Sequence, residues 1–318
     1  MIKFKILKSL LIISIISLII NCDKKGNIIS YDPPERAKYI GMEIKIQLEC
    51  GDILAGTITI PEDSLTKFPA VILITGSSAH DRDNSKPENP VTAYRPFRQL
   101  ADILSSNGIC VLRMDNRGIG ASTGGDINKM TTLERANDIK ECLKYLKARP
   151  EIDTFRIGLI GLSEGASIAQ MIASNDTSVK VIVLLSGIGS KGKEIIDFQV
   201  NNGIINREKL PNLLRKDKNF KYLYDFDPLQ TARLVKQPTL ILNGELDNHV
   251  PANDAIKLGD AMAQNGNNKV VVRILPKYNH LLIKLDSSGV RTDYGMISSN
   301  KIPDEVLKII LDWTLKEI

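Results

Sequence analysis

The chain has 318 residues, 43% hydrophobic and 25% charged, which is ordinary globular material for one large α/β domain or two small ones. Its net charge of +5 includes Lys3, Lys5 and Lys8, and no basic cluster interleaves with aromatics, which argues against nucleic acid as a partner. Cys22, Cys50, Cys110 and Cys142 show no C-x-x-C spacing, so neither a metal site nor a redox pair is implied.

Met1 to Lys8 is short and basic, Ser9 to Ile20 is apolar, and polarity returns at Asn21. This is the layout of a secretory signal, too short for a spanning helix of ~20 apolar residues. Leu18-Ile19-Ile20-Asn21-Cys22 resembles a relaxed lipobox. It predicts a signal peptide over 1–21, lipidation of Cys22 and a polar, Pro33-Pro34-containing tether over 22–38, leaving 39–318 as the folded domain. The expected location is an exported, membrane-anchored bacterial lipoprotein, with plain secretion and an uncleaved anchor as alternatives.

Met42–Leu48 alternates apolar and polar residues, and Ile53–Ile60 returns after the Glu49-Cys50-Gly51-Asp52 turn, predicting a hairpin. Pro69–Thr75 is a near-continuous apolar run, the mark of a strand buried on both faces. A helix follows over Tyr94–Ser106, ending at Asn107-Gly108, then a strand over Ile109–Arg113. Thr131–Lys147 reads as a long helix, with Glu134 placed for a capping box. A strand over Arg156–Ile160 leads into Gly161-Leu162-Ser163-Glu164-Gly165 and then a helical stretch to Ala173. Val179–Leu185, Thr239–Asn243 and Lys269–Leu275 complete the strands; Ala252–Gln264 and Pro303–Lys316 are helices. This alternation predicts a parallel sheet with helices on both faces. It breaks over about 187–236, a polar, lysine-rich insertion with helical pieces at Glu194–Val200 and Arg207–Arg215. An insertion there lies over the carboxyl ends of the strands, where ligands bind.

Strand, G-x-S-x-G and helix together form the setting of a nucleophile elbow. Ser163 is then the nucleophile, and the Glu164 N–H points at the same spot from a helix N-terminus. An activated serine needs a base, and the base needs an orienting carboxylate. In such elbows the chain order is serine, acid, histidine, which excludes His80 as the base. Asp247 follows the Thr239–Asn243 strand and His280 follows the last one, so three loops at one sheet edge can converge. His249 lies too close to Asp247 along the chain to be held by it from a separate loop. Glu245 and Asp254 are the rival acids. The loop Gly76-Ser77-Ser78-Ala79-His80-Asp81-Arg82-Asp83 supplies the second oxyanion donor, the N–H of Ser77. Its Asp81-Arg82-Asp83 reads either as a buried cluster bracing the loop or as a solvated charge run. His80 reads as pocket lining or as a loop cap.

From about Ile40 onward the chain resembles the bacterial α/β-hydrolase esterases, in particular those whose oxyanion loop ends in Asp-Arg-Asp. The matching residues are Gly76-Ser77, Asp81-Arg82-Asp83, Val111 to Ser122, Gly161 to Gly165, Asp247 to Pro251 and Asn279-His280-Leu281. Thr75, Ser78, Ala79 and Leu162 depart from the pattern, standing for histidine, glycine, proline and histidine; none of these removes a catalytic group. The resemblance implies an α/β-hydrolase fold, with a mostly parallel eight-stranded sheet, helices on both faces and a short helical cap. It implies a serine carboxylesterase acting on short acyl chains through an acyl-enzyme, with a Ser163–Asp247–His280 triad and Ser77 and Glu164 as oxyanion donors. No metal or organic cofactor is implied, and the partners are a small ester and, through Cys22, a membrane. A serine peptidase or acyltransferase of the same fold is the first alternative, although most such peptidases carry a propeller or large lid. A surface lipoprotein that binds a ligand or host component without catalysis is the second.

Overall fold

The computed structural model describes residues 30–63, 67–77, 80–85, 94–125, 129–285 and 301–318. Cys22, the leader, the tether up to residue 29, Ser78 and Ala79 lie outside them.

Eight strands form one sheet: β1 (Tyr39–Gln47), β2 (Ile53–Pro61), β3 (Phe68–Ile74), β4 (Cys110–Met114), β5 (Ile152–Leu162), β6 (Val179–Leu185), β7 (Thr239–Gly244) and β8 (Val270–Leu275). The spatial order is β1-β2-β4-β3-β5-β6-β7-β8. The first hairpin and the β2–β4 pairing are antiparallel, and every later pairing is parallel. Strands in the middle are apolar on both sides because both faces are covered. In β3, Ala70, Ile72 and Ile74 enter one core while Val71 and Leu73 enter the other, the period of two expected of a strand.

Helices α1 (Pro96–Ser105), α2 (Thr132–Lys147), α3 (Glu164–Ala173), α4 (Gly192–Asn201), α5 (Leu210–Lys216), α6 (Lys218–Asp225), α7 (Pro228–Ala232), α8 (Asn253–Gln264) and α9 (Asp304–Glu317) complete the described elements. Leu143 and Leu146 of α2, Ile168 and Ile172 of α3 and Leu258 of α8 build the core on one face. Phe97 and Leu104 of α1, with Val306 and Ile310 of α9, build the other. This is the α/β-hydrolase fold.

α2 begins as its sequence predicts. Thr131 accepts the Glu134 N–H, and the Glu134 side chain accepts the Thr131 N–H, which closes the capping box. The 187–236 insertion holds more helix than its sequence pattern indicates. Besides α4, a 3-10 turn (Arg207–Lys209) and α5, it forms α6 and α7. Both added helices are too short for a periodic stripe and are fixed at their starts instead. Asp217 caps α6 by accepting the Phe220 N–H, and Asp227 caps α7 by accepting the Leu229 N–H.

Candidate active site

β5 runs straight into the elbow. Ser163 adopts φ 56° and ψ −119°, a strained conformation for a residue with a side chain. Such a conformation costs ~1–3 kcal/mol and persists only where its surroundings enforce it. The enforcement is visible. A Cβ on Gly161 would lie 2.1 Å from the Gly165 carbonyl oxygen, and one on Gly165 would lie 2.2 Å from that of Ile74. The Ser163 N–H donates to the Leu185 carbonyl at the end of β6 (2.8 Å). The side chain is thereby held at the carboxyl edge of the sheet, at the start of α3.

Asp247 and His280 meet at that edge from the loops after β7 and β8. Asp247 Oδ2 lies 2.7 Å from His280 Nδ1, and both residues are buried. The other carboxylate oxygen accepts the N–H groups of His249 and Val250, each at 2.8 Å, which fixes the aspartate in its turn. Ser186, the residue after Leu185, donates its hydroxyl to the His280 carbonyl (2.8 Å). Two consecutive residues at the end of β6 therefore tie down the serine turn and the histidine loop. His249 lies on the same turn as Asp247, to which its N–H donates. Its ring stacks on that of His280, with centroids 4.7 Å apart and planes 18° apart.

The rival acids are engaged elsewhere. Asp254 accepts the N–H groups of Gly189 and Ser190 and the Ser190 hydroxyl, at 3.0, 2.9 and 2.6 Å. Glu245 accepts the Lys277 N–H.

The loop after β3 passes against the elbow: a Cβ on Gly76 would sit 3.5 Å from that of Ser163. The Gly76 N–H donates to Asn84 Oδ1 (3.0 Å). Arg135 of α2 reaches this loop, although nothing in its sequence surroundings sets it apart from other polar positions of an amphipathic helix. Its Nη2 donates to the Thr75 carbonyl, the Thr75 hydroxyl and the Gly76 carbonyl, at 3.0, 3.0 and 2.9 Å. Its Nη1 lies 2.8 Å from Glu164 Oε2. Glu164 Oε1 accepts the Thr132 hydroxyl (2.5 Å) and the Asn219 amide (3.3 Å). Thr75, where the resembled family carries histidine, also donates its hydroxyl to Asn116 Oδ1.

Asp81-Arg82-Asp83 is buried, not solvated. The Arg82 guanidinium takes both oxygens of Asp115, at 3.0 and 2.8 Å, with Glu43 and Thr57 on its other side. Asp83 pairs with Arg95 and Arg113. Asp81 Oδ1 accepts the N–H groups of Asp83 and Ser85. His80 is buried at the foot of the same loop, and its carbonyl accepts the Asn116 N–H.

A cavity of about 300 Å³ opens beside Ser163 and is lined by Ser77, Glu164 and Arg135 on the sheet side. The cap supplies Ile195, Ile196, Ile205, Phe220, Leu223 and Phe226, a mainly apolar wall. A hydroxyl in an elbow, a carboxylate-held imidazole and a small cavity with an apolar wall are the parts required for acyl transfer.

The sequence model of the prolyl oligopeptidase family matches residues 96–317, which include Ser163, Asp247 and His280. Esterase EstD of Thermotoga maritima is 28% identical over 286 residues, covering 83% of this chain and 66% of that protein. The chain thus spans just under two thirds of that relative's length. Among solved structures, the Pyrococcus furiosus esterase Pf2001 superposes with a TM-score of 0.64 at 19% identity, over 92% of this chain and 96% of that one. The acylaminoacyl peptidase of Pyrococcus horikoshii gives 0.61 at 16% identity, over 89% of this chain and 42% of that one. At these identities the two structures share a fold with this chain.

Proposed function

Because this chain belongs to the prolyl oligopeptidase family, we propose that it is a serine hydrolase that cleaves carboxylic esters of short acyl chains through an acyl-enzyme. The observation that carries the proposal is the Asp247–His280 pair at the same sheet edge as a strained Ser163. Asp247 holds the Nδ1–H tautomer of His280, leaving Nε2 to take the Ser163 proton as Oγ attacks the ester carbonyl. The N–H groups of Ser77 and Glu164 receive the oxyanion. The proton on Nε2 passes to the departing alcohol. Water then repeats the sequence on the acyl-enzyme and frees the acid, with His280 as base again.

The apolar cap wall and the esterase relative support an ester over an amide. A cavity near the lower end of ligand-site volumes supports a small acyl group. Each buried methylene adds ~0.8 kcal/mol, so preference climbs with chain length only until the cavity is full. We expect kcat/KM across p-nitrophenyl acetate to palmitate to peak at about two to six carbons, the range of the resembled family, and to exceed that for aminoacyl p-nitroanilides. A maximum at long chains, or faster amide cleavage, overturns the assignment. Ser163→Ala should abolish labelling by a fluorophosphonate and lower kcat by ~10⁴-fold.

The apolar Ser9–Ile20 stretch and Cys22 support a lipid anchor. Mass spectrometry of the mature N-terminus should find acyl chains on Cys22, and an unmodified start elsewhere rejects this.

A further inference from the structure

We propose that Arg135 is a positioning residue of the oxyanion hole, one that orients and polarises the Ser77 N–H; this rests on the serine-hydrolase reading above. Arg135 Nη2 grips the Gly76 carbonyl at 2.9 Å. The Gly76–Ser77 peptide is planar and trans, so its N–H points away from its carbonyl. A cation fastened to the carbonyl therefore aims the Ser77 N–H away from Arg135. Ser77 lines the cavity that holds Ser163, and Gly76 packs on Ser163 itself. The Gly76 N–H is spent on Asn84, which leaves the oxyanion role to the next peptide. A charge-assisted hydrogen bond on a carbonyl also withdraws density through the amide, which strengthens its N–H as a donor.

The same arginine binds the second donor's residue. Nη1 pairs with the Glu164 carboxylate, and Glu164 provides the other N–H. Thr132 and Asn219 fix the remaining carboxylate oxygen. One ion pair, only 5% and 1% exposed, thus sets the spacing between the two donors before substrate arrives. Preorganised donors of this kind contribute most where charge develops. A lysine keeps the charge but lacks the planar fork that holds Thr75, Gly76 and Glu164 together.

The test uses the full chain carrying Arg135→Lys or Arg135→Gln. It compares kcat and KM for p-nitrophenyl butyrate with the Ki of a trifluoromethyl ketone of the same acyl length, which binds as a tetrahedral adduct. We expect kcat to fall ~10-fold for Lys and ~10²-fold for Gln, with KM within about threefold. The Ki of the ketone should weaken by the factor lost in kcat/KM. A general packing defect would not move these two quantities together. Folded variants with kcat within twofold of the parent, or with ketone affinity unchanged, overturn the inference. Should neither variant fold, Glu164→Gln keeps the shape and the Nη2 clasp, and it must weaken the ketone at least fivefold; unchanged affinity overturns the inference equally. A parent enzyme that fails to bind the ketone sinks the serine-hydrolase reading instead.

Discussion

Asp247 and Asp254 are both buried carboxylates near β7, yet they do different work. Asp247 divides its oxygens between His280 Nδ1 and two backbone N–H groups. Asp254 holds Gly189 and Ser190, where the chain leaves the sheet to form the cap, and pairs with Lys257 (3.4 Å). Asp247→Asn should therefore lower kcat by ~10⁴-fold by favouring the wrong tautomer of His280. Asp254→Asn should leave kcat within about threefold while costing ~1–3 kcal/mol of stability through the bonds it weakens. Activity assays paired with thermal melts separate the two, and an Asp254 variant as inactive as the Asp247 variant would reverse the assignment. The order of serine, aspartate and histidine along the chain suggested Asp247 and His280 as partners because each follows its own strand, and the structure brings the two within 2.7 Å. Arg135 could not be read in the same way. It sits 28 residues before Ser163, and its partners Thr75, Gly76 and Glu164 come from two other elements. His249 was visible as a residue, but its stacking on His280 depends on a turn that Asp247 itself shapes.

At the scale of elements, the sheet and its covering helices were legible because their signals are long and periodic. β6 occurs over the residues its apolar run marks, and α2 starts at its capping box. The cap was legible only in outline, since five- to eight-residue helices leave no periodic trace and depend on caps and tertiary contact. The contact that matters most to the cavity is between α4 and α6. A Cβ on Gly192 would lie 1.5 Å from the Leu223 carbonyl oxygen, so the two helices touch backbone to backbone there. Ile195, Ile196, Leu223 and Phe226 line the cavity on either side of that contact. Gly192→Ala must push α6 outward and widen the apolar wall. We expect kcat/KM for acetyl and butyryl esters to drop several-fold and the preferred acyl chain to lengthen. The sheet should still melt cooperatively, since the altered contact lies within the cap. An unchanged chain-length profile in a folded Gly192→Ala variant would mean that the cap does not set substrate size.

Across the whole molecule, the loop after β3 is joined to distant parts of the chain by buried charge. Arg82 links it to Glu43 on β1, Thr57 on β2 and Asp115 just after β4. Asp83 links it to Arg113 on β4 and to Arg95 at the start of α1. Tyr31, at the start of the described residues, closes over the same cluster. The Tyr31 ring lies 4.1 Å from the Arg82 guanidinium carbon, and its hydroxyl donates to Asp81 Oδ2 (3.3 Å). Removing so many charges from water is costly unless each is paired, and Arg82 and Asp83 are. Among the described residues, Asp81 has no cation in its hydrogen bonds. Burial first, and the Asp83 carboxylate second, push its pKa from 3.8 up to about 7. The consequence for stability has a definite sign. Below about pH 4 the side chain is protonated in both folded and unfolded chains and contributes no difference. Between about 4 and 7 the unfolded chain releases this proton while the folded chain keeps it, so folding loses ground as pH rises. Above 7 both states are ionised and the loss is complete. Asp81→Asn removes the titration and keeps an oxygen to accept the Asp83 and Ser85 N–H groups. The Tm of the variant minus that of the parent should therefore rise steadily from pH 4 to 7 and level off above. Taking this difference cancels the other groups that titrate in the same window. A difference that stays flat from pH 4 to 8 would show that Asp81 ionises normally within the fold.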